Sequence, residues 1–233
     1  MSDSIACYIE PLLTGLASGD RLEVRQCMRM ILDAQPNGED IVEQILWPAL
    51  CKVQQLHRDD EMSQLSFQYA SRLLAQIVHQ MQQHYEPAAF NGLRVLLVAG
   101  DNFGDELAGQ LACDLLEAGG YEVLYCGGGV ANDEIVAELA NRDIDRLVVF
   151  GADPRTLPAT RQLIDRLHDI GACPRLQIIV GGGVFNRAEG LAEEIGADVW
   201  TDDPVDLVRI MVECPDDRMT HDQRTVGKRR KAA

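Results

Sequence analysis

The stretch VLLVAGDNFGD, residues 95–105, decides the fold class of this chain. Five apolar residues in a row, Val95 to Ala99, are followed by Gly100, Asp101 and a helical pattern that runs to about residue 118. A short apolar run without alternation is typical of a strand that is buried on both faces of a parallel sheet. We therefore predict a strand, a glycine-containing turn and a helix, which form the first βα unit of an α/β domain.

The same unit recurs four more times toward the C-terminus. Further strands are predicted over residues 123–126, 147–151, 178–181 and 198–200. Further helices are predicted near residues 132–141, 156–171, 187–196 and 205–212. Five strands that are each followed by a helix specify a parallel, doubly wound sheet, and we assign this α/β domain to residues 93–213.

A different periodicity precedes the sheet. Apolar residues recur at helical spacing through residues 1–85, with breaks near Gly19 and Pro36. No helix can bury its apolar stripe alone, so a four-helix bundle is expected, with a third helix kinked at Pro48. Residues 86–92, EPAAFNG, are predicted to be a linker, and residues 214–233 a disordered basic tail.

Composition excludes several classes of partner. The chain of 233 residues has a net charge of −16, although residues 218–233 hold six basic residues and one acidic residue. A surface this acidic repels phosphate backbones, so nucleic acid is expected to bind at most through the basic tail. No apolar run approaches the roughly 20 residues of a membrane helix, and the N-terminus lacks a signal-peptide pattern. These features predict a cytoplasmic protein without membrane contacts.

The strand ends meet at one edge of the predicted sheet, where ligands of such domains bind. They read GDNFG, GGG, GAD and GGG, at residues 100–104, 127–129, 151–153 and 181–183. Glycine lets the backbone either approach a ligand closely or turn tightly, and both interpretations stay open. The spacing fits neither a dinucleotide-binding turn nor a P-loop. The sheet domain has no lysine for a phosphoacceptor site, and no nucleophile stands beside a base.

Motifs in the α/β domain resemble those of the cobalamin-binding module, as found in methionine synthase, methyltransferase corrinoid proteins and light-sensing adenosylcobalamin regulators. VAGD at residues 98–101, followed by GGYEV at 119–123, is similar to the first strand and helix of that family. VGGG at residues 180–183 with GAD at 196–198 resembles the motif that cradles the nucleotide tail of the cofactor. The resemblance implies a flavodoxin-like sheet and cobalamin as the cofactor.

The helical domain resembles the cap of the same family. LWPAL at residues 46–50 is similar to the third-helix pattern of the cap, and Gly19-Asp20-Arg21 to its first interhelix turn. With these motifs the resemblance spans residues 5–213. It implies that a flat ring binds between the helical cap and the glycine-rich edge of the sheet.

The cobalt-binding signature of the family, Asp-x-His-x-x-Gly, is degenerate here. Asp101 keeps the aspartate, but Phe103 stands where the family has the lower axial histidine, and Glu106 stands where it has the glycine. His57 corresponds to the tryptophan of the cap that packs on the upper face of the cofactor. Phenylalanine has no lone pair for cobalt, so the resemblance implies that no histidine binds the metal at the usual position.

Two further departures concern the lower pocket and the photosensory branch. Residues 151–153, Gly-Ala-Asp, replace the Ser-x-Leu that lies against the lower base pocket of the family. Phe67-Gln68 stands where the photosensory branch has a Glu-His pair. The chain therefore differs from both the methyl-carrying and the light-sensing members.

Three ligand hypotheses follow. In the first hypothesis, the module binds cobalamin whose cobalt either keeps the dimethylbenzimidazole of the cofactor or is five-coordinate. His57 is then either a candidate metal ligand on the upper face or a solvated side chain. Alternatively, the site takes heme or a bilin, since Phe103 adds apolar area to a wall that must cover a ring. In the third hypothesis, the domain binds no cofactor and serves only in protein interaction.

The loss of the axial histidine favours a sensor over a methyl carrier, because a regulatory module needs only a ligand that binds two states differently. We expect a cobalamin-binding or related tetrapyrrole-binding regulatory protein rather than an enzyme. It would act through a partner regulatory protein or as a homo-oligomer, with a corrinoid methyl carrier as the alternative. The predicted cofactor-binding residues are Trp47, His57, Asp101, Asn102, Phe103, Gly104, Gly128, Gly129, Gly151, Ala152, Asp153, Gly181, Gly182 and Gly183.

Overall fold

A computed structural model of the chain describes residues 5–34, 36–151, 153–171, 173–187 and 190–219. The chain forms two compact units, Met1–Pro87 and Ala88–Ala233. The first unit is helical and the second is α/β, which confirms the predicted fold class. Within the described ranges, no helix has both the length and the apolar character that crossing a membrane requires.

The first unit is built from a short 3₁₀ turn and helices whose ends follow local sequence signals. Its helices are α1 (Ile9–Ser18), α2 (Arg21–Asp33), α3 (Gly38–Ile41), α4 (Trp47–Arg58) and α5 (Gln64–Met81). Gly19 ends α1 in the left-handed conformation, with φ at 75°. The Asp20 carboxylate then caps α2 by accepting hydrogen bonds from the backbone N–H groups of Leu22 and Glu23.

The third helix of the bundle is irregular where the kink is predicted. α3 continues through π-helical turns at Val42–Leu46 into α4. The Trp47 backbone N–H donates to the carbonyl of Val42, and Pro48, which has no N–H to donate, follows at once. A proline and a π-helical turn are both recognised causes of a local change in helix geometry.

Buried apolar side chains hold the bundle together. α1 packs against α2, α4 and α5. Full burial of one large aliphatic side chain contributes roughly 1.5–3 kcal/mol, so this core dominates the stability of the unit. The large side chains that it buries almost completely are Leu12, Leu16, Ile31, Ile41, Ile45, Leu46 and Leu74.

The second unit contains one sheet of five parallel strands in the order β2-β1-β3-β4-β5. The strands are β1 (Arg94–Ala99), β2 (Glu122–Cys126), β3 (Arg146–Phe150), β4 (Gln177–Gly181) and β5 (Val199–Thr201). This is the flavodoxin-like strand order, whose topological switch point lies between β1 and β3. Val98 of β1 pairs with Cys126 on one side and Val149 on the other, so the carboxyl ends of these three strands are level.

Helices cover both faces of the sheet. They are α6 (Phe103–Ala118), α7 (Asn132–Asn141), α8 (Leu157–Ile170), α9 (Gly183–Arg187), α10 (Leu191–Ile195) and α11 (Pro204–Glu213). α6 packs against α11, whereas α7, α8 and α10 share a core cluster with Leu96 and Val98. The single helix predicted for residues 187–196 is replaced by the short α9 and α10, with Gly190 at a φ of 80° before α10.

The segments that flank the sheet domain are hydrogen-bonded to it. In the predicted linker, the N–H groups of Ala88 and Asn91 donate to the carbonyls of Ala118 and Gly120. Beyond the predicted domain end, residues 214–219 form what we term the C-terminal strap. The predictions for residues 220–233, including the basic tail and its binding of nucleic acid, fall outside the described residues.

Two buried polar side chains hold the C-terminal strap at the amino edge of the sheet. Gln177, fully buried at the start of β4, donates from Nε2 to the carbonyls of Cys214 (2.7 Å) and Asp217 (3.1 Å). Arg146, buried at the start of β3, donates to the carbonyl of Pro215 at 3.1 Å. These hydrogen bonds attach the strap to the sheet, beyond the predicted domain end at residue 213.

Candidate functional site

The carboxyl edge of the sheet is extended by glycines. The Gly100 N–H donates to the carbonyl of Phe150 at 2.9 Å, and the Gly151 N–H donates to the carbonyl of Gly181 at 2.8 Å. The N–H of Gly182 likewise donates to the carbonyl of Thr201 at 2.9 Å. The predicted edge glycines therefore continue the ladder by one residue beyond the strands, which brings the loops after β1, β3 and β4 side by side.

The loop after β1 is organised by Asn102 and Asp105. The Asn102 side chain accepts from the Asp105 backbone N–H at 3.0 Å and caps α6, while its amide donates to Asp105 Oδ2 at 2.6 Å. The side chain of Asp105 is only 2% exposed. Sequence reasoning missed this residue, although the spacing is that of a capping box, in which the N-cap residue and the residue three positions later hydrogen-bond to each other.

Asp101 joins the loops after β1 and β2. Its Oδ1 accepts a hydrogen bond from the Gly129 N–H at 2.5 Å. A β-carbon on Gly128 would lie 2.6 Å from both the Asp101 Cα and the carbonyl oxygen of Gly100, so only glycine fits there. The structure therefore brings Asp101, Gly128 and Gly129 together, as the glycine pattern of the sequence suggested.

Phe103 and Glu106 lie on the first turn and a half of α6. The phenyl ring of Phe103 is 37% exposed and offers no ligand atom, while Gly104 beside it is buried. The Glu106 side chain is exposed and approaches the position of a β-carbon on Gly127 to 3.5 Å. The Tyr125 hydroxyl donates to the Glu106 carbonyl at 2.7 Å, and burial raises the pKa of this phenol.

The three glycines at the end of β4 and just after it serve different purposes. A β-carbon on Gly181 would collide with the ring of Phe150, so this glycine makes room for a core side chain. Gly182 adopts a φ of 117°, which strongly favours glycine. No atom lies within 4 Å of the position of a β-carbon on Gly183, which leaves that position open. Of these three glycines, Gly183 is the one that leaves free space beside the edge.

The loop after β3 carries an ion pair. Both carboxylate oxygens of Asp153 accept from the guanidinium of Arg155, and these charge-assisted hydrogen bonds raise the pKa of Arg155. The Asp153 side chain is mostly buried, whereas Arg155 is 88% exposed. Arg155 is therefore a cation at the rim of the edge that sequence reasoning missed. Ala152, also predicted to contribute to the site, is not among the described residues.

A cavity of about 350 Å³ opens beside the ends of β1 and β3. Its inner part is apolar, with Val98, Val149 and Leu163 among the lining residues. Polar groups stand around it, namely Asp101, Asn132, Arg155, Thr156 and Thr160. An apolar interior with a few polar groups is the usual composition of a small-molecule site.

The two predicted site residues of the helical unit lie on α4. Trp47 is half-buried at the start of this helix. Near the end of α4, the His57 ring stacks on Phe67 with centroids 4.1 Å apart and an interplanar angle of 16°. The buried Nδ1 of His57 has no hydrogen-bond partner in the described part of the chain. The histidine thus has a ring nitrogen that no other described side chain uses.

A cluster of potential metal ligands also occurs on α6. Within the described ranges, Cys113, Asp114 and Glu117 form the one group of three His, Cys, Asp or Glu side chains whose ligand atoms lie within 4.8 Å of one another. Burial and the two neighbouring carboxyl groups raise the pKa of the Cys113 thiol to about 12. None of these three residues lines the cavity beside β1 and β3, so the cluster is not part of that site.

A flavodoxin-like sheet with a cavity beside its topological switch point defines a ligand-binding domain of the doubly wound class. Residues 94–208 match the family model of the B12 binding domain. This match confirms the resemblance of the second unit to the cobalamin-binding domain family and supports cobalamin as the cofactor. The match favours cobalamin over the heme and bilin alternatives.

Curated relatives are corrinoid proteins. Monomethylamine corrinoid protein 2 of Methanosarcina acetivorans is 26% identical over 121 residues, which are 51% of this chain and 54% of that protein. Dimethylamine corrinoid protein 3 of the same organism is 25% identical over 115 residues, 48% of this chain and 53% of that protein. This chain therefore spans about half the length of the curated relatives it matches.

A solved structure has a similar fold. The monomethylamine corrinoid protein of Methanosarcina barkeri matches with a TM-score of 0.74 at 17% identity, covering 88% of this chain and 97% of that chain. The likeness supports the shared fold of a helical unit followed by a flavodoxin-like sheet. At this identity it does not assign a function.

The described residues fit cobalamin in part. The cavity offers apolar walls and hydrogen-bonding groups for a heteroaromatic group of the cofactor, and Gly129 and Gly183 leave open space at the edge. Phe103 supplies no cobalt ligand. His168, the one histidine among the described residues of the second unit, lines a different cavity together with Leu176 and Ile178 at the start of β4. The edge thus suits the organic part of the cofactor but offers no imidazole to the metal.

Proposed function

We propose that the chain is a cobalamin-binding regulatory protein in which no histidine of the α/β domain binds the lower face of cobalt. The observation that carries this proposal is Phe103, an exposed phenyl ring at the first residue of α6. The family resemblance places the lower axial histidine at that position. A methyl carrier needs tuned cobalt chemistry, whereas a regulatory protein needs only a difference in affinity between two states.

The cavity beside β1 and β3 is the proposed site for the nucleotide tail. Val98, Val149 and Leu163 would contact a flat apolar ring, and Thr160 at its wall could hydrogen-bond to it. Arg155 stands at the rim, where its guanidinium can attract the phosphate of the tail. Asp153 holds that guanidinium in place. When bound, cobalamin would supply a metal whose axial ligands change with its oxidation state.

His57 is the proposed metal ligand of the helical unit. Its Nδ1 has no hydrogen-bond partner among the described residues, and stacking on Phe67 orients the imidazole ring. Neutral imidazole is a good ligand for transition metals. Trp47 on the same helix is the proposed apolar contact for the ring.

A binding assay tests the cofactor and the tail site together. The purified chain is loaded with hydroxocobalamin, hemin or biliverdin, freed of excess ligand by gel filtration, and its absorbance spectrum is recorded. We expect cobalamin to be retained and the other two to be lost. Val149→Phe should fill the cavity and weaken cobalamin at least about tenfold, while cobinamide, which lacks the tail, should lose less affinity. Equal losses for both ligands would reject the tail site.

Regulation is tested by comparing the free and the loaded chain. Hydrogen exchange of residues 5–85 should differ between the two states, because a ligand that controls a partner must bind two conformations differently. Identical exchange in both states would contradict the regulatory proposal. The regulated partner is proposed to be a second protein or a second copy of this chain.

A methyl carrier is the second candidate function, favoured by the curated relatives that are named as corrinoid proteins of methylamines. It predicts that the loaded chain accepts a methyl group from a methylamine in the presence of the matching methyltransferase. Transfer at a catalytic rate would replace the regulatory proposal, since a sensor needs no turnover.

A further inference from the structure

The surface of the first unit contains a groove between α2 and α5 with a volume of about 460 Å³. Its floor is apolar and includes Val24, Met28, Leu73 and Ile77. These four side chains are less than 10% exposed, so they close the bottom of the groove and leave its rim to other residues. The charge of that rim distinguishes the groove, because the chain as a whole is acidic.

The rim is cationic. Arg21, Arg25 and Arg29 are exposed, lie on α2 at intervals of four residues, and all line the groove, with His79 of α5 opposite them. Residues four apart share a helix face, so the three guanidinium groups follow one line about 12 Å long. No carboxylate occurs among the described residues that line the groove. In a chain with 37 acidic residues, such a surface is unusual.

Among the residues that the structure describes, no carboxylate neutralises the three arginines. Arg21 donates to Gln76 Oε1 at 3.2 Å, and none of the three forms an ion pair with a described carboxylate. Exposed arginines of the second unit behave differently: Arg142 pairs with Glu138, and Arg166 pairs with Asp133. The 18 residues of α5, the other wall of the groove, contain no Asp or Glu at all.

We propose that this groove docks an acidic amphipathic helix of a partner protein. The partner helix would place carboxylates four residues apart against Arg21, Arg25 and Arg29, and apolar side chains over the floor of the groove. A helix laid into a groove between two helices is a common recognition mode, and charge complementarity gives it specificity. The net charge of −16 disfavours a nucleic acid, because its phosphates would meet repulsion from the acidic chain around the three arginines.

The proposal is independent of cobalamin, since none of its residues belongs to the cofactor site. It gives the helical unit a binding surface of its own. A partner held on α2 and α5 would be attached to the same unit that carries Trp47 and His57 on α4.

The test uses a fluorescein-labelled helical peptide of 18 residues as the probe. It carries leucines at positions i, i+3, i+4 and i+7 and glutamates four residues apart beside them, and a second peptide has glutamine in place of every glutamate. Fluorescence anisotropy with the full chain measures both affinities. We expect the glutamate peptide to bind and to weaken with added salt, and the glutamine peptide to bind at least about tenfold more weakly.

Two triple variants separate the groove from overall charge. R21Q/R25Q/R29Q removes the cationic rim, and R142Q/R161Q/R166Q removes three charges from the second unit, at the exposed Arg142 and Arg166 and the partly exposed Arg161. Both variants should keep the circular dichroism spectrum and the cobalamin retention of the wild type. The first should lose affinity for the glutamate peptide by about tenfold or more, and the second should stay within about twofold.

Four results would overturn the proposal. Equal loss in both triple variants would mean that only net charge matters, and absence of peptide binding to the wild type would remove the docking site. A labelled dT20 oligonucleotide that binds through the three arginines, more tightly than the peptide, would replace the partner helix by nucleic acid. A concentration-dependent dimer in sedimentation that disappears in R21Q/R25Q/R29Q would replace it by a second copy of the chain.

Discussion

The carboxylate of Asp105 occupies the space that a β-carbon on Gly100 would take. The two residues belong to the same turn, since Gly100 follows β1 and Asp105 lies in the first turn of α6. The glycine is therefore required by a buried side chain of the protein itself. Gly100 therefore does more than leave room for a ligand.

Substitution of Gly100 by alanine should destabilise the α/β domain by about 1–3 kcal/mol, because the new methyl group and the Asp105 carboxylate cannot share one position. The free energy of unfolding in urea measures the effect. Gly183→Ala is the matched control, since nothing lies within 4 Å of its β-carbon position, and it should change stability by less than about 0.5 kcal/mol. If the collision is the cause, Gly100→Ala should cost less in an Asp105→Ala background.

Phe103→His should place a histidine nitrogen at the lower face of cobalt. The side chain at this position is partly exposed and follows Asp101 and Asn102, so an imidazole fits without new burial. The measurement is the electron paramagnetic resonance spectrum of the cob(II)alamin-loaded His57→Ala/Phe103→His protein, with and without ¹⁵N-labelled histidine. Labelling should alter the nitrogen hyperfine pattern.

The control for that experiment is His57→Ala/Phe103→Leu, which has no imidazole at either candidate position. Its spectrum should be insensitive to the label. A label-sensitive spectrum in this control would mean that another histidine binds cobalt, and the proposed role of Phe103 would be wrong. The single variants Phe103→His and Phe103→Leu keep His57. Comparing the spectrum of each single variant with that of its double variant shows whether His57 binds cobalt.

Gln177→Leu should release the C-terminal strap. The change removes both hydrogen bonds from Gln177 to the carbonyls of Cys214 and Asp217, which attach the strap to the start of β4. We expect a loss of about 1–3 kcal/mol in unfolding free energy and faster hydrogen exchange in residues 214–219. Gln162→Leu on the exposed face of α8 is the control. Unchanged exchange in the strap would show that Gln177 does not hold it.

The buried carboxyl of Asp198 should make the free energy of unfolding fall as the pH rises through the pKa that this carboxyl has in the folded state. Burial raises the pKa of this carboxyl above its ordinary value of 3.8, although the N–H groups of Ile178 and Met219 oppose the shift by donating to it. The folded state therefore binds a proton that the unfolded state releases, and the associated stability is full below about pH 3.8 and is lost as the carboxyl ionises.

The contribution of Asp198 is measured as the difference in unfolding free energy between the wild type and Asp198→Asn from pH 3 to pH 7. Relative to the variant, the wild type should lose stability as the pH increases. A wild type that gains stability over this range would mean that the two N–H donors outweigh burial. Carboxyl ¹³C chemical shifts of Asp198 give its pKa directly.

Sequence patterns were sufficient for the sheet and for most helix ends. Apolar runs such as Val95 to Ala99 predicted the strands because a strand buried on both faces has no other composition available. Gly19 and Asp20 predicted the turn between α1 and α2 because their conformational and capping preferences are local. The strap was missed, since its partners Gln177 and Arg146 are about 40 and 70 residues away in sequence.

The sequence by itself determined the fold class, the family and the absence of an imidazole at position 103, because these depend on residue type and on spacing along the chain. Only the tertiary structure decided what each edge glycine does. The position of a β-carbon on Gly100 is taken by the Asp105 carboxylate, and the position on Gly181 is taken by the Phe150 ring. The corresponding position on Gly183 is unoccupied. The residue type is the same at all three positions. The role of each glycine depends on which side chain the fold places next to it.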